Sequence, residues 1–181
     1  MYEIERKFLI TRPVREIIRE EARKNSWMAC ENIQQVYMPK TGKWAIRGRR
    51  VQTHEFAYPR ERDPEFMARY LITMKRKKTK LTSIEIETPT MREQYEHMVA
   101  VAGHRAINKN RWFYHLKHES RDLAFTFMLD EFLNPELGGL VMAEIELASE
   151  DEWFPRPDWL GEEVTGVKGY SNAQMVEKLK L

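Results

Sequence analysis

The side chains most able to do chemistry stand as like-charged residues two positions apart. They are Glu3 and Glu5 with Lys7 next in line, Arg47 and Arg49, Lys75 and Lys77, Glu85 and Glu87, Lys109 and Arg111, and Glu144 and Glu146. A spacing of two puts side chains on one face of a β-strand, and apolar residues such as Ile4, Ile84, Ile86 and Ile145 take the alternate positions. With Asp130 added, Glu3, Glu5, Glu85, Glu87, Asp130, Glu144 and Glu146 oppose Lys7, Arg47, Arg49, Lys75, Lys77, Lys109 and Arg111. Carboxylates are hard donors for a divalent cation, and guanidinium and ammonium groups neutralise phosphate oxygens. A metal bound to a polyphosphate would bring both complementary charges at once.

The plainer reading of any single strand is a solvated charged face and an apolar face packed on a core, as antiparallel sheets commonly show. Taken together, the strands argue otherwise. Like charges side by side repel and call for counterions, and a small closed barrel offers such faces an interior to line.

These faces need strands to carry them. Alternation predicts strands at Tyr2 to Ile10, Asn32 to Met38, Trp44 to Val51, Tyr70 to Lys77, Thr82 to Thr88, Asn110 to Lys117, Ala124 to Phe132 and Leu140 to Leu147. Eight strands suit a barrel. A helix is expected from Pro13, with Val14, Ile17 and Ile18 at helical spacing and Asn25 as its C-terminal cap. Thr90-x-x-Glu93 reads as a capping box before Tyr95, Met98, Val99 and Ala102, and Ser171-x-x-Gln174 repeats the device before Met175 and Val176. Between Val51 and Arg69 the run Pro59-Arg60-Glu61-Arg62-Asp63-Pro64 reads as a long loop.

Composition narrows the function classes. The chain has 181 residues, 30 Lys+Arg and 28 Asp+Glu, so its net charge of +2 is small for so charged a sequence. The length fits one domain over 1–181, and neither a nucleic-acid nor a membrane partner is expected. Past Lys77, the basic run to Lys80 reads as a solvated turn. Cys30 is the single cysteine, which excludes an internal disulfide, and a cytoplasmic protein is the expectation. Neither a secretory leader nor an apolar run long enough to span a bilayer is read in the sequence. His54, His97 and His104 are scattered, and His115 and His118 fall on opposite faces of a strand, so no histidine metal site is expected.

The segment Glu3-Ile4-Glu5-Arg6-Lys7-Phe8-Leu9 resembles the signature strand of the CYTH proteins. These are also called triphosphate tunnel metalloenzymes, and they include class IV adenylate cyclases, thiamine triphosphatases and inorganic triphosphatases. The resemblance continues in the family's order through Ile33-Gln34-Gln35-Val36-Tyr37, Arg47-x-Arg49, Leu71-Ile72-Thr73-Met74-Lys75, Glu85-x-Glu87, Lys109-x-Arg111, Asp130-Glu131-Phe132 and Ala143-Glu144-Ile145-Glu146-Leu147. Trp159-Leu160-Gly161, Val164-Thr165 and Tyr170-Ser171-Asn172 look like its closing segment. Two departures stand out: Val36 where these proteins often have glycine, and the long connection from Val51 to Arg69.

The resemblance implies an α+β, mainly β fold: a closed eight-stranded antiparallel barrel with helices packed outside and a tunnel through it. It also implies magnesium or manganese as cofactor. By position, Glu3, Glu5, Asp130, Glu144 and Glu146 become the metal ligands, and Lys7, Arg47, Arg49, Lys75, Lys77, Lys109 and Arg111 the phosphate-binding residues. Glu5, Lys7, Glu85 and Glu87 are assigned catalytic work, with Glu85 and Glu87 serving either the metal or the water. Lys168 is a weaker candidate for phosphate contact. The expected activity is hydrolysis of inorganic tripolyphosphate or a small organic triphosphate. The alternatives are a class IV adenylate cyclase making cyclic AMP and pyrophosphate, and a non-catalytic binder of a phosphorylated ligand. Oligomeric state is left open, a homodimer included.

Overall fold

A computed structural model describes residues 1–24, 29–39, 42–55, 68–103, 105–117 and 124–179. The 56–67 part of the expected long loop, the Asn25 cap, His104 and His118 lie outside the described residues. The elements run β1 (Tyr2–Ile10), α1 (Val14–Lys24), β2 (Ala29–Tyr37), β3 (Ala45–Glu55), β4 (Ala68–Lys77), β5 (Thr82–Pro89), α2 (Arg92–Val101), β6 (Ala106–Lys117), β7 (Ala124–Phe132), β8 (Val141–Leu147), β9 (Leu160–Glu163) and α3 (Asn172–Met175). No described helix is long and apolar enough to cross a membrane.

Eight strands pair antiparallel in the order β5-β4-β3-β2-β6-β7-β8-β1, and β1 pairs with β5 to close the barrel. All eight expected strands are present, and those at Tyr2–Ile10 and Ala124–Phe132 have the expected bounds. β2 and β6 begin earlier than expected, where few apolar residues alternate, because each edge is completed by its neighbour's backbone.

Charge along much of the inside puts the largest apolar cluster on the outside, while a smaller one joins Ile107, Phe132 and Met142 from inner strand positions to Met175 and Leu179. The largest cluster joins Phe8, Phe127, Leu129 and Ile145 from outer strand faces to Ile17 of α1 and to Phe154 and Trp159 of the segment before β9. Ile17 is fully buried, a burial contributing roughly 1.5–3 kcal/mol. A further cluster seats α2 on β2: Val36, Tyr95, Ala102 and Ala106 are buried together. This accounts for Val36, whose side chain points outward into that cluster. Close packing by α2 also explains Gly48, where an added Cβ would stand 3.1 Å from Met98 Sδ and 3.3 Å from the Tyr95 ring.

Two local expectations are corrected. The α2 cap is Met91, with no side-chain cap hydrogen bond, so the Thr90 and Glu93 box does not form. The Thr90 amide instead donates to the Tyr70 carbonyl, which commits that residue to the end of the sheet. Ser171 does cap α3, accepting from the Gln174 amide, whereas the Gln174 side chain accepts from Gly169 rather than reaching back to Ser171. The four-residue β9 was not foreseen. It adds to β1 at Phe8 and Ile10, and Gly161 lets it approach, since a Cβ there would fall 2.9 Å from Thr11 Cγ2 and 3.0 Å from the Leu9 carbonyl.

Candidate functional site

Cross-strand partners in an antiparallel sheet project to the same side. The register pairs Lys7 with Glu144, Glu5 with Glu146, Lys75 with Glu85, Arg111 with Asp130, and Thr73 with both Arg47 and Glu87. One side therefore carries the seven acids and seven bases singled out on the strands, and that side is the barrel interior. It surrounds a cavity of ≈ 1190 Å³. Glu3, Glu5, Lys7, Arg47, Arg49, Lys75, Lys77, Glu85, Glu87, Arg111, Glu144 and Glu146 line it. Lys109 and Asp130 do not reach the cavity surface. They lie fully buried behind it, paired with each other, and Asp130 is tied to the lining residue Arg111.

Three ionic groups divide the interior. In the first, Arg111 Nε and Nη2 donate to the two Asp130 oxygens at 2.7 and 2.8 Å, and Nη2 donates to Glu144 Oε2 at 2.7 Å. Glu144 also pairs with Lys7. In the second, Lys75 pairs with Glu3, Glu5 and Glu85, and Lys77 reaches Glu5 Oε1 at 3.5 Å. In the third, Arg47 contacts Glu85 at 3.4 Å, Arg49 pairs with Glu87, and Thr73 Oγ1 donates to Glu87 Oε2 at 2.7 Å.

Electrostatics set these acids apart. Burial pushes the Glu3 carboxyl up to about 7, with Glu5 adding to the effect. Burial also pulls Glu5 upward, but Lys7, Lys75 and Lys77 outweigh it and hold that carboxyl at about 2. Burial draws Lys109 down to about 8, helped by Arg111 and opposed by Asp130. Glu144 stays well below the carboxylate range because Lys7 and Arg111 override its burial.

The interior leaves some groups incomplete. Among the described residues, the Nε atoms of Arg47 and Arg49 are buried without a hydrogen-bond acceptor. Glu3 Oε2 touches Lys75 Nζ yet lacks hydrogen-bond geometry, and Glu146, exposed to the cavity, has no ion-pair partner among those residues. No three described acids, histidines or cysteines already converge as a cation site. The acids are instead drawn onto the lysines and arginines, and Glu3 faces Ser83 across the sheet rather than the Glu144 strand. Lys168 is exposed and does not line the cavity.

Several site residues were not singled out from the sequence. Thr73 and Gln35 share the inward parity of their strands and were open to the same test. Thr165 had only its place in the closing segment: its Oγ1 accepts from the Lys7 amide at 2.9 Å and donates to Glu163 at 2.7 Å, a contact no local pattern encodes. Arg105, at the cavity rim before β6, carries no sequence signal.

No family model matches the chain. Over 62 residues it is 47% identical to an inorganic triphosphatase of Acetivibrio thermocellus, a match covering 34% of this chain and 39% of that protein's length. A crystal structure of the inorganic triphosphatase NE1496 is 27% identical and aligns over 96% of this chain and 93% of its own, with a TM-score of 0.55. The PH1012 protein of Pyrococcus horikoshii OT3, 19% identical, shares the fold over 82% of this chain and 80% of its own, with a TM-score of 0.54.

Proposed function

We propose that this chain, whose closed barrel and charged interior resemble those of the CYTH, or triphosphate tunnel metalloenzyme, family, is a divalent-metal-dependent triphosphatase. Its substrate is inorganic tripolyphosphate or a small organic triphosphate bound within the barrel. The observation that carries this reading is the gathering of both charge sets on one inner surface around the cavity, with two buried arginine Nε donors left open. Buried donors without acceptors are costly, and phosphate oxygens are acceptors that arginine matches well. The 47% identity to a named inorganic triphosphatase supports the same substrate class.

Lys7, Arg47, Arg49, Lys75, Lys77 and Arg111 are the residues that hold phosphate oxygens, with Lys109 supporting Arg111 from behind through Asp130. Glu3, Glu5, Glu144 and Glu146 would hold magnesium or manganese. The donor set fits, being all carboxylate oxygen, and the unpaired Glu146 with the incomplete Glu3 oxygen supplies open positions. Asp130 is committed to Lys109 and Arg111, so its place as a ligand requires those pairs to loosen. When bound, the metal would neutralise charge on the phosphate oxygens and favour ionisation of a water. Glu85 and Glu87 position Arg47 and Arg49 by pairing with them.

Product analysis on a panel of triphosphates with magnesium or manganese tests the reading. Orthophosphate from tripolyphosphate is expected. Cyclic AMP with equimolar pyrophosphate from ATP, and no orthophosphate from tripolyphosphate, would replace hydrolysis by cyclisation.

A further inference from the structure

Past Lys77 the basic run reads from the sequence as a solvated turn, yet Lys80 at its end lines the cavity. So do Lys43 and Arg105, and all three side chains are exposed. They come from separate connections: Lys43 from the turn between β2 and β3, Lys80 from the turn between β4 and β5, and Arg105 from the residues before β6. Register brings these connections to one end of the barrel. Val36 at the end of β2 pairs with Ala106 at the start of β6, and Ala45 at the start of β3 pairs with Lys75 near the end of β4. That end is a mouth of the cavity. The closing segment props the lysine there: Gly166, at a φ of +70°, lies so near that a Cβ would stand 2.6 Å from Lys80 Cγ.

Charge is distributed differently at the mouth and in the interior. The strand residues singled out from the sequence give the cavity wall six acids and six bases, joined in the three ionic groups, and such pairs cancel at long range. Lys43, Lys80 and Arg105 are not ion-paired among the described residues. Glu163, whose carboxyl Lys80 influences at longer range, is held by Arg6. A cleft edged by cations of one sign focuses its field outward and raises the local concentration of anions.

Resting on the triphosphate reading above, we propose that Lys43, Lys80 and Arg105 are specificity-determining residues, a cationic collar that draws polyanionic substrates into the barrel through its field. Tripolyphosphate with one divalent ion bound is still an anion, so it is drawn as the complex. Attraction scales with ligand charge, so the collar favours a triphosphate over the smaller phosphates that hydrolysis releases. The phosphate-holding residues inside then take over.

The experiment replaces the collar at once, as Lys43→Gln with Lys80→Gln and Arg105→Gln. A control removes the same charge from α1, as Arg15→Gln with Arg19→Gln and Arg23→Gln, exposed residues that do not line the cavity. Hydrolysis of tripolyphosphate at fixed magnesium or manganese is followed at about 20 mM and about 500 mM monovalent salt. At low salt the collar variant is expected to lose about tenfold in kcat/KM with no fall in kcat, and at high salt to lie within about twofold of wild type. The control is expected within about twofold of wild type at both salts. A loss that persists at high salt, a fall in kcat, no loss at low salt, or an equal loss in the control would each overturn the collar and leave triphosphate hydrolysis intact. Wild type that releases no orthophosphate from any triphosphate would overturn the hydrolytic reading, and titration calorimetry with tripolyphosphate at the same two salts would then decide the collar by the same pattern in Kd.

Discussion

Glu5 on β1 and Glu146 on β8 face each other directly across the barrel wall as cross-strand partners. Opposed like charges destabilise a sheet. Lysines hold Glu5 ionised, whereas burial, with Glu144 and Glu5 adding, raises the Glu146 carboxyl above its ordinary value. A divalent cation between them would relieve the repulsion. Glu146→Gln is therefore expected to leave the metal-free protein at least as stable as wild type and to diminish the rise in thermal midpoint that magnesium or manganese gives. Metal at a hundred times Kd stabilises by about 2.7 kcal/mol, enough to read by calorimetry. An undiminished rise in the variant would take Glu146 out of the ligand set.

Arg49→Ala tests phosphate binding. Arg49 lines the cavity and keeps Nε open, so its loss removes charge-assisted hydrogen bonds worth about 1.5–3 kcal/mol, roughly tenfold to a hundredfold in affinity. Titration calorimetry with tripolyphosphate at low salt measures it. Affinity equal to wild type would contradict the assignment.

Most of this architecture was legible in the sequence because one rule, alternation with a period of two, governs both fold and site. The same parity that marked Glu85 and Glu87 as neighbours placed them inside, and the matching apolar positions, Ile84 among them, outside. What escaped notice depends on long-range contact. β9 is four residues with Leu160 as its apolar member, and it exists because β1 offers an open backbone edge beside Phe8. Thr90 and Glu93 carried a correct capping pattern that the Thr90 to Tyr70 bond preempted. Nor does spacing reveal which ions pair: Asp130 reads as a free acid in the sequence and is held by Lys109 and Arg111 in the fold.

The closing segment makes a pH-dependent contribution. Arg6 pairs with Glu163 of β9 and depresses its carboxyl below the ordinary 4.5, with Thr165 assisting. A depressed acid stabilises the fold above its ordinary value, and that stabilisation disappears as pH falls through the lower folded value. Both side chains are partly exposed, so the pair is worth no more than about 1 kcal/mol. Thermal midpoints from pH 7 to 3 should fall less steeply for Glu163→Gln than for wild type. Parallel curves would show that the pair contributes nothing.

Gly48 tests the seat of α2. Its Cβ direction meets Met98 and Tyr95 at 3.1 to 3.3 Å, so Gly48→Val overpacks the contact and should cost about 1–3 kcal/mol. Chemical denaturation reads the change in midpoint. A variant as stable as wild type would mean that Met98 swings aside freely.

The most direct test of the whole account is release of orthophosphate from inorganic tripolyphosphate, followed with magnesium or manganese present and again after chelation. The charged interior predicts stoichiometric orthophosphate and pyrophosphate with metal, and none once the metal is removed. Tripolyphosphate left intact under saturating metal, by a folded protein, would contradict it.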